Sequence, residues 1–204
     1  MGLRERKKRE TRQRIADVAM GLFAARGFDD VTVAEVARAA DVSVNTVFNY
    51  FPAKEDLFLD RRDWAEGRPE EVVRQREPGE SVVRAFRRDV LDAIATRSWR
   101  YGFNEGSDVF TGMVRESPTL LARVREFHVE REEALAAALA RESGAGGDDV
   151  TPRVVAAQIL GATRALSDYA VRRMLAGEAW SSIEPALKEQ TERAFDLLEH
   201  GLGG

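Results

Sequence analysis

The stretch Thr32–Phe51, TVAEVARAADVSVNTVFNYF, closed by Pro52, decides the fold. Thr32 and Glu35 stand at capping-box spacing: the hydroxyl takes the backbone N–H of Glu35, and the carboxylate reaches back to that of Thr32. Val33, Val36 and Ala37 then recur on one side at helical spacing. After Ala39-Ala40-Asp41-Val42, Ser43 is the next N-cap, opening a second short helix through Val44, Val47 and Phe48 to Phe51. Ala37 is small where the two helices cross, and Val42, Val47 and Tyr50 supply the wedge between them. This is the apolar pattern of a helix-turn-helix. The outward side of the second helix carries Ser43, Asn45, Thr46 and Asn49, short polar groups able to reach base edges or phosphates. Any pair of short amphipathic helices shares part of this pattern, so the flanking sequence matters.

Upstream, Arg6 to Arg26 reads as a first helix, with Ile15, Val18, Ala19, Leu22 and Phe23 forming a full apolar face. Gly27 ends it as a C-cap, and Phe28 folds back onto it. Downstream, Pro52-Ala53 separates the second short helix from a fourth that begins near Lys54, contains Leu57, Phe58 and Trp64, and fades at Gly67-Arg68-Pro69. Taken together, Phe23-Ala24-Ala25-Arg26-Gly27-Phe28, Thr32–Ala37 and Val42–Leu57 resemble, in order, the N-terminal region of the TetR family of one-component transcriptional regulators. The resemblance covers about a quarter of the chain. One position departs from it: the family usually has glycine in the turn where this chain has Asp41, a residue that tolerates left-handed backbone at some strain.

The charge is distributed unevenly. The whole chain carries a net −4, yet residues 1–14 hold seven basic groups against two acidic ones, a net of +5. Residues 1–56 come to +1 and the remainder to −5. Positive charge is thus gathered beside the helix-turn-helix, an electrostatic footprint for phosphate, although a merely solvated tail has the same composition. A chain of 204 residues suits one or two compact domains with a real core. The lack of cysteine fits a reducing compartment, no apolar run approaches a membrane span, and the charged start is unlike a signal peptide. A cytoplasmic protein is expected.

From residue 70 onward only helical periodicity appears. A short helix over 70–76 precedes Pro78-Gly79, and Ser81 caps the next, with Val82, Phe86, Val90, Ala93 and Ile94 inward. Trp99, Tyr101 and Phe103 make an aromatic corner before a helix over 107–116. Ser117-Pro118 opens a long helix to about residue 141, with Leu121, Val124, Leu135 and Leu139 inward and Phe127 or His128 between them. Thr151-Pro152 starts another to about residue 176, and Pro185 starts the last, to His200. The reading is all-α, about nine helices: a three-helix reading head over 1–53 and a larger helical effector-binding and dimerisation domain over 54–204. A head of about fifty residues is marginal alone, so the first and fourth helices are expected to lean on the rest.

The last two helices carry apolar groups on more than one side, which fits a subunit interface, though burial within one subunit has the same pattern. The resemblance implies a homodimer joined there as a four-helix bundle. It also implies a palindromic double-stranded operator, with recognition helices ~34–36 Å apart. On that basis Ser43, Val44, Asn45, Thr46 and Asn49 meet bases or nearby phosphates; Thr32, Tyr50 and Lys54 hold the phosphate backbone; and Arg12 reaches groove or backbone from the arm. Asn45 is the strongest base contact, since its amide pairs bidentately with adenine. The family further implies a cavity for a small-molecule effector in the larger domain, whose occupancy tilts the fourth helix and spreads the heads. Trp99, Tyr101, Phe103, Phe110, Met113, Phe127, His128, Gln158, Thr163 and Ser167 are its candidate liners; for each aromatic, ordinary core is the competing role.

Catalysis has little support. His128 and His200 are the only histidines, and no HExxH, Walker or GxGxxG pattern occurs, so no metal or cofactor is expected. The principal alternative keeps the DNA-binding dimer but gives its larger domain a protein partner or a purely structural role.

Overall fold

The computed structural model describes residues 2–59, 68–104 and 106–201. Every regular element among them is helical, in chain order α1 (Leu3–Arg26), α2 (Val33–Ala39), α3 (Val44–Tyr50), α4 (Lys54–Leu59), α5 (Pro69–Arg74), α6 (Val82–Ala95), a 3-10 turn (Trp99–Tyr101), α7 (Ser107–Glu116), α8 (Pro118–Ser143), α9 (Thr151–Leu175) and α10 (Trp180–His200). The all-α expectation holds, with ten α-helices among the described residues where about nine were expected. Trp64, expected in the fourth helix, lies outside the described residues.

The chain packs as two units. The first comprises the described residues up to 59 together with 112–124, and the second comprises 68–111 with 125–201. The 53/54 boundary read from the sequence therefore does not coincide with a packing boundary: α4 buries Leu57 and Phe58 within the first unit. That unit is built on α1, whose Ile15, Ala19 and Phe23 are fully buried while Val18 and Leu22 are half-buried. The rings of Phe23, Phe28 and Phe58 cluster, with centroids 5.0 to 6.2 Å apart, so Phe28 does fold back onto the first helix. Segment 112–124 joins through two polar contacts: Ser117 Oγ donates to Asp29 Oδ1 at 2.9 Å, and Arg123 pairs with Asp56 at 3.5 Å.

The second unit is centred on α6 packed against α10, with α9 alongside. Phe86, Val90, Ile94, Ile159, Leu187 and Phe195 are buried in its core. Ser81 caps α6 as expected, its hydroxyl accepting from the Arg84 backbone N–H. Arg87 ties α6 to α10 through Asp196 at 2.7 Å, Glu199 at 3.1 Å and Glu192 at 3.3 Å. The last helix begins at Trp180, five residues before the expected start at Pro185, which sits inside it. Proline removes one intrahelical hydrogen bond. Here Trp180 and Ile183 are buried ahead of it, so tertiary packing holds the turn that local propensity disfavours.

Candidate nucleic-acid interface

The capping box forms. The Glu35 N–H donates to Thr32 Oγ1 at 3.3 Å, and Thr32 N–H donates to Glu35 Oε2 at 2.8 Å, as does the Thr32 hydroxyl. Arg26 from the end of α1 donates to the other carboxylate oxygen at 2.7 Å. Backbone and side-chain donors all favour the ionised form, so the Glu35 pKa falls from 4.5 to about 2. The start of α2 is thereby tied to the end of α1.

The turn after α2 is a Schellman closure. Val42 N–H donates to Ala37 O at 3.0 Å and Asp41 N–H to Arg38 O at 3.2 Å, satisfying the last carbonyls of α2. This geometry places Asp41 at φ 53°, the left-handed region that glycine occupies without a Cβ penalty. Ser43 then caps α3, its Oγ accepting from Thr46 N–H at 3.0 Å and lying 2.8 Å from Thr46 Oγ1. Both hydroxyls are thus already occupied with the cap.

Helix α3 is fixed from the inside by Val47 and by Phe51 just beyond it, both fully buried. Arg12 clamps its C-terminal end to α1: the guanidinium donates to Tyr50 O at 2.6 Å and lies 4.4 Å over the Phe51 ring. Ser43, Asn45 and Asn49 face solvent, as does Thr32 at the start of α2; Thr46 and Tyr50 are half-buried. Lys54 lies 4.2 Å over the Phe28 ring and donates to Asp29 O at 3.4 Å, so its ammonium braces α4 against the end of α1. Arg4, Arg6, Lys7, Lys8 and Arg9 are exposed along the N-terminal turns of α1.

The apolar line read along α3 needs correction. Val44, assigned to the DNA side, is 38% exposed, and Phe48, read with Val47 and Phe51 in the apolar run, is 46% exposed. Phe48 lies about 100° round the helix from Val47. A helix of seven residues pressed against its neighbours by one edge leaves that position outside. The i, i+4 pairing of Val44 with Phe48, distinct from that of Val47 with Phe51, is the sequence signal that distinguishes the two strips.

Of the candidate effector residues, all but Met113 belong to the second unit, where Tyr101, Phe103 and Ser167 meet. Phe103 is fully buried in the second-unit core, and Tyr101 beside it donates its hydroxyl to Asp89 at 2.6 Å. Burial, with the nearby Asp89 carboxylate, pushes the Tyr101 pKa well above its usual value. Thr163 donates to Leu160 O at 2.9 Å, and Ser167 donates to Tyr101 O at 2.6 Å, so both hydroxyls serve the main chain. Phe110 is buried, Trp99, Phe127 and His128 are half-buried, and Gln158 is exposed. Met113, also buried, packs with the first unit rather than with the others. Burial, and then the charges of Arg164 and Arg131, lower the His128 pKa. Arg131, one turn along from Phe127 with its guanidinium 5.5 Å over that ring, was not anticipated. Burial lowers its pKa too. A 620 Å³ surface cavity in this unit is lined instead by Val129, Glu132, Ala136, Ala140, Gly146 and Pro152, among others. No helix among the described residues is long and apolar enough to cross a membrane.

Comparison with known proteins agrees with this geometry. Residues 15–60 match the family model described as bacterial regulatory proteins, tetR family, and residues 111–203 match that of the MftR C-terminal domain. The chain is 30% identical over 205 residues to MftR of Mycobacterium tuberculosis, whose name assigns it to regulation of mycofactocin biosynthesis, covering 97% of this chain and 93% of that one. It is 31% identical over 175 residues to the HTH-type transcriptional regulator TcmR of Streptomyces glaucescens, covering 81% and 75%. Among solved structures, native NalD of Pseudomonas aeruginosa superposes with a TM-score of 0.54 at 21% identity, covering 91% of this chain and 97% of that one. Salmonella enterica GusR does so with 0.51 at 20% identity, covering 92% and 96%; both show a shared fold. The chain belongs to the TetR family of bacterial transcriptional regulators, DNA-binding proteins rather than enzymes.

Proposed function

We propose that the chain is a homodimeric repressor that binds a palindromic operator through α3 and is released by a small-molecule effector held in its larger domain. The observation that carries this reading is the α2–turn–α3 head itself, rigidly capped at both helices, with Asn45 and Asn49 exposed on α3 and an exposed basic run on α1 of the same unit. Asn45 and Asn49 are of a size to read base edges, with Ser43, Val44 and Thr46 beside them. Thr32, Tyr50, Lys54 and Arg12 are assigned to the phosphate backbone; the last two already brace the head internally.

Dimerisation is supported by the unsatisfied outer faces of the last two helices. Val154 on α9 is 48% exposed and Leu197 on α10 is 53% exposed, and a Cβ built on Gly161 meets no neighbour within 4 Å. An effector releases DNA only through its better affinity for a DNA-incompetent arrangement. KstR of Mycobacterium tuberculosis, named as a repressor, is 40% identical over 52 residues, 26% of this chain, and so supports the sign of regulation by analogy.

The test is selection of bound duplexes from a random library by the purified protein at near-physiological salt. Enrichment of a palindrome with half-sites about one helical turn apart is expected. No enrichment from a folded dimeric sample sinks the reading. The selected duplex then serves as the probe for compounds that release it.

A further inference from the structure

Two apolar side chains stand on α3 where the proposed DNA contact lies, and the core does not use them. Val47 and Phe51 fill the inward side, and the ring cluster of the first unit is made by Phe23, Phe28 and Phe58. Val44 and Phe48, four residues apart, lie next to each other on the helix surface and make one apolar strip. Asn45 and Asn49, also four apart, make an amide strip about 100° further round. Neither Val nor Phe offers a hydrogen-bond donor or acceptor, so this strip cannot tell bases apart by polar contacts or hold a phosphate. The 5-methyl of thymine is the apolar group on the major-groove edges of the base pairs.

We infer that Val44 and Phe48 read thymine 5-methyl groups in the operator, so that α3 recognises its site by an apolar strip beside an amide strip. The occupant of this exposed face is duplex DNA, argued from its neighbours. The strip shares a seven-residue helix with Asn45 and Asn49, and its unit carries the exposed basic turns of α1, which match a polyanion and not a second apolar surface. Phe48 is thereby a specificity-determining residue that the polar reading of the helix leaves out. The inference rests on the DNA-reading assignment above.

The experiment replaces each thymine of the selected duplex, one at a time, by deoxyuridine, which removes only the methyl and keeps the base pair. Affinity is measured for the full chain and for its Phe48→Ala and Val44→Ala variants. For the unaltered protein, one or two positions per half-site should weaken binding by about fourfold each, the value of one buried methyl-sized group. At those positions Phe48→Ala or Val44→Ala should show no further loss on deoxyuridine substitution. Tolerance of deoxyuridine at every position overturns the inference, as does a penalty that persists unchanged in both variants, or a selected half-site lacking thymine. A change in the sedimentation of free protein on Phe48→Ala, marking the strip as a contact between copies, also overturns it. The measurement on unaltered protein stands even where a variant fails to fold. Selection of no sequence at all defeats the DNA-reading assignment too; a selected sequence indifferent to the methyl defeats only this inference.

Discussion

At the scale of single residues, the head divides into side chains spent on its own architecture and side chains left for a ligand. Arg12, Thr32, Glu35, Ser43 and Thr46 all make internal contacts, while Asn45 and Asn49 face solvent. Asn45→Ala should therefore leave thermal stability nearly unchanged but cost roughly 1–3 kcal/mol of operator affinity, with preference relaxed at one base position. Competition binding against single-base operator variants checks this; an unaltered preference removes Asn45 from the reading set. Glu35 makes the opposite prediction. Its folded pKa lies below the ordinary 4.5, so its contribution to stability is complete above that value and is lost as pH falls toward about 2. The stability of the natural protein over Glu35→Gln should be greatest near pH 6, decline from about pH 4.5 and vanish near pH 2, as followed by urea denaturation across that range.

At the scale of elements, the turn between α2 and α3 tests whether geometry or chemistry chose Asp41. Its φ of 53° closes the Schellman turn at a Cβ penalty that glycine does not incur. Asp41→Gly should stabilise the protein by about 0.5–1 kcal/mol, read as a raised thermal midpoint; a lowered midpoint would show that the carboxylate makes a contribution of its own. Caps and periodicity made this region legible from sequence: Thr32, Glu35, Ser43 and the Ile15–Phe23 face all sit as their spacing required. Phe48 escaped because an apolar residue at helical spacing reads as inward, and only packing decides which edge of a short helix meets its neighbours. Pro185 misled for a related reason, since a local breaking signal was outweighed by Trp180 and Ile183. The candidate effector residues were the least legible. Aromatic content marks core and cavity alike, and the half-buried Asp89–Tyr101 pair and the nearby Arg131 are brought together from three helical segments that share no sequence motif.

At the scale of the whole molecule, the outer faces of α9 and α10 make the subunit arrangement testable. Leu197→Arg places a charge on an exposed apolar position, so the isolated subunit should keep its helical content and thermal stability. Sedimentation should shift from dimer to monomer, and operator affinity should fall by about two orders of magnitude as two linked reading heads become independent ones. Unchanged sedimentation would move the interface elsewhere. The contacts of Ser117 with Asp29 and of Arg123 with Asp56 have a consequence for protein engineering. A chimera made by splicing the first fifty-odd residues onto another regulator's body would cut α4 and the 112–124 segment away from the surfaces they complete. Transplanting this chain's operator preference therefore calls for a discontinuous graft, one that carries Lys54–Leu59 and 112–124 together with the head, or for exchanging the outward residues of α3 alone.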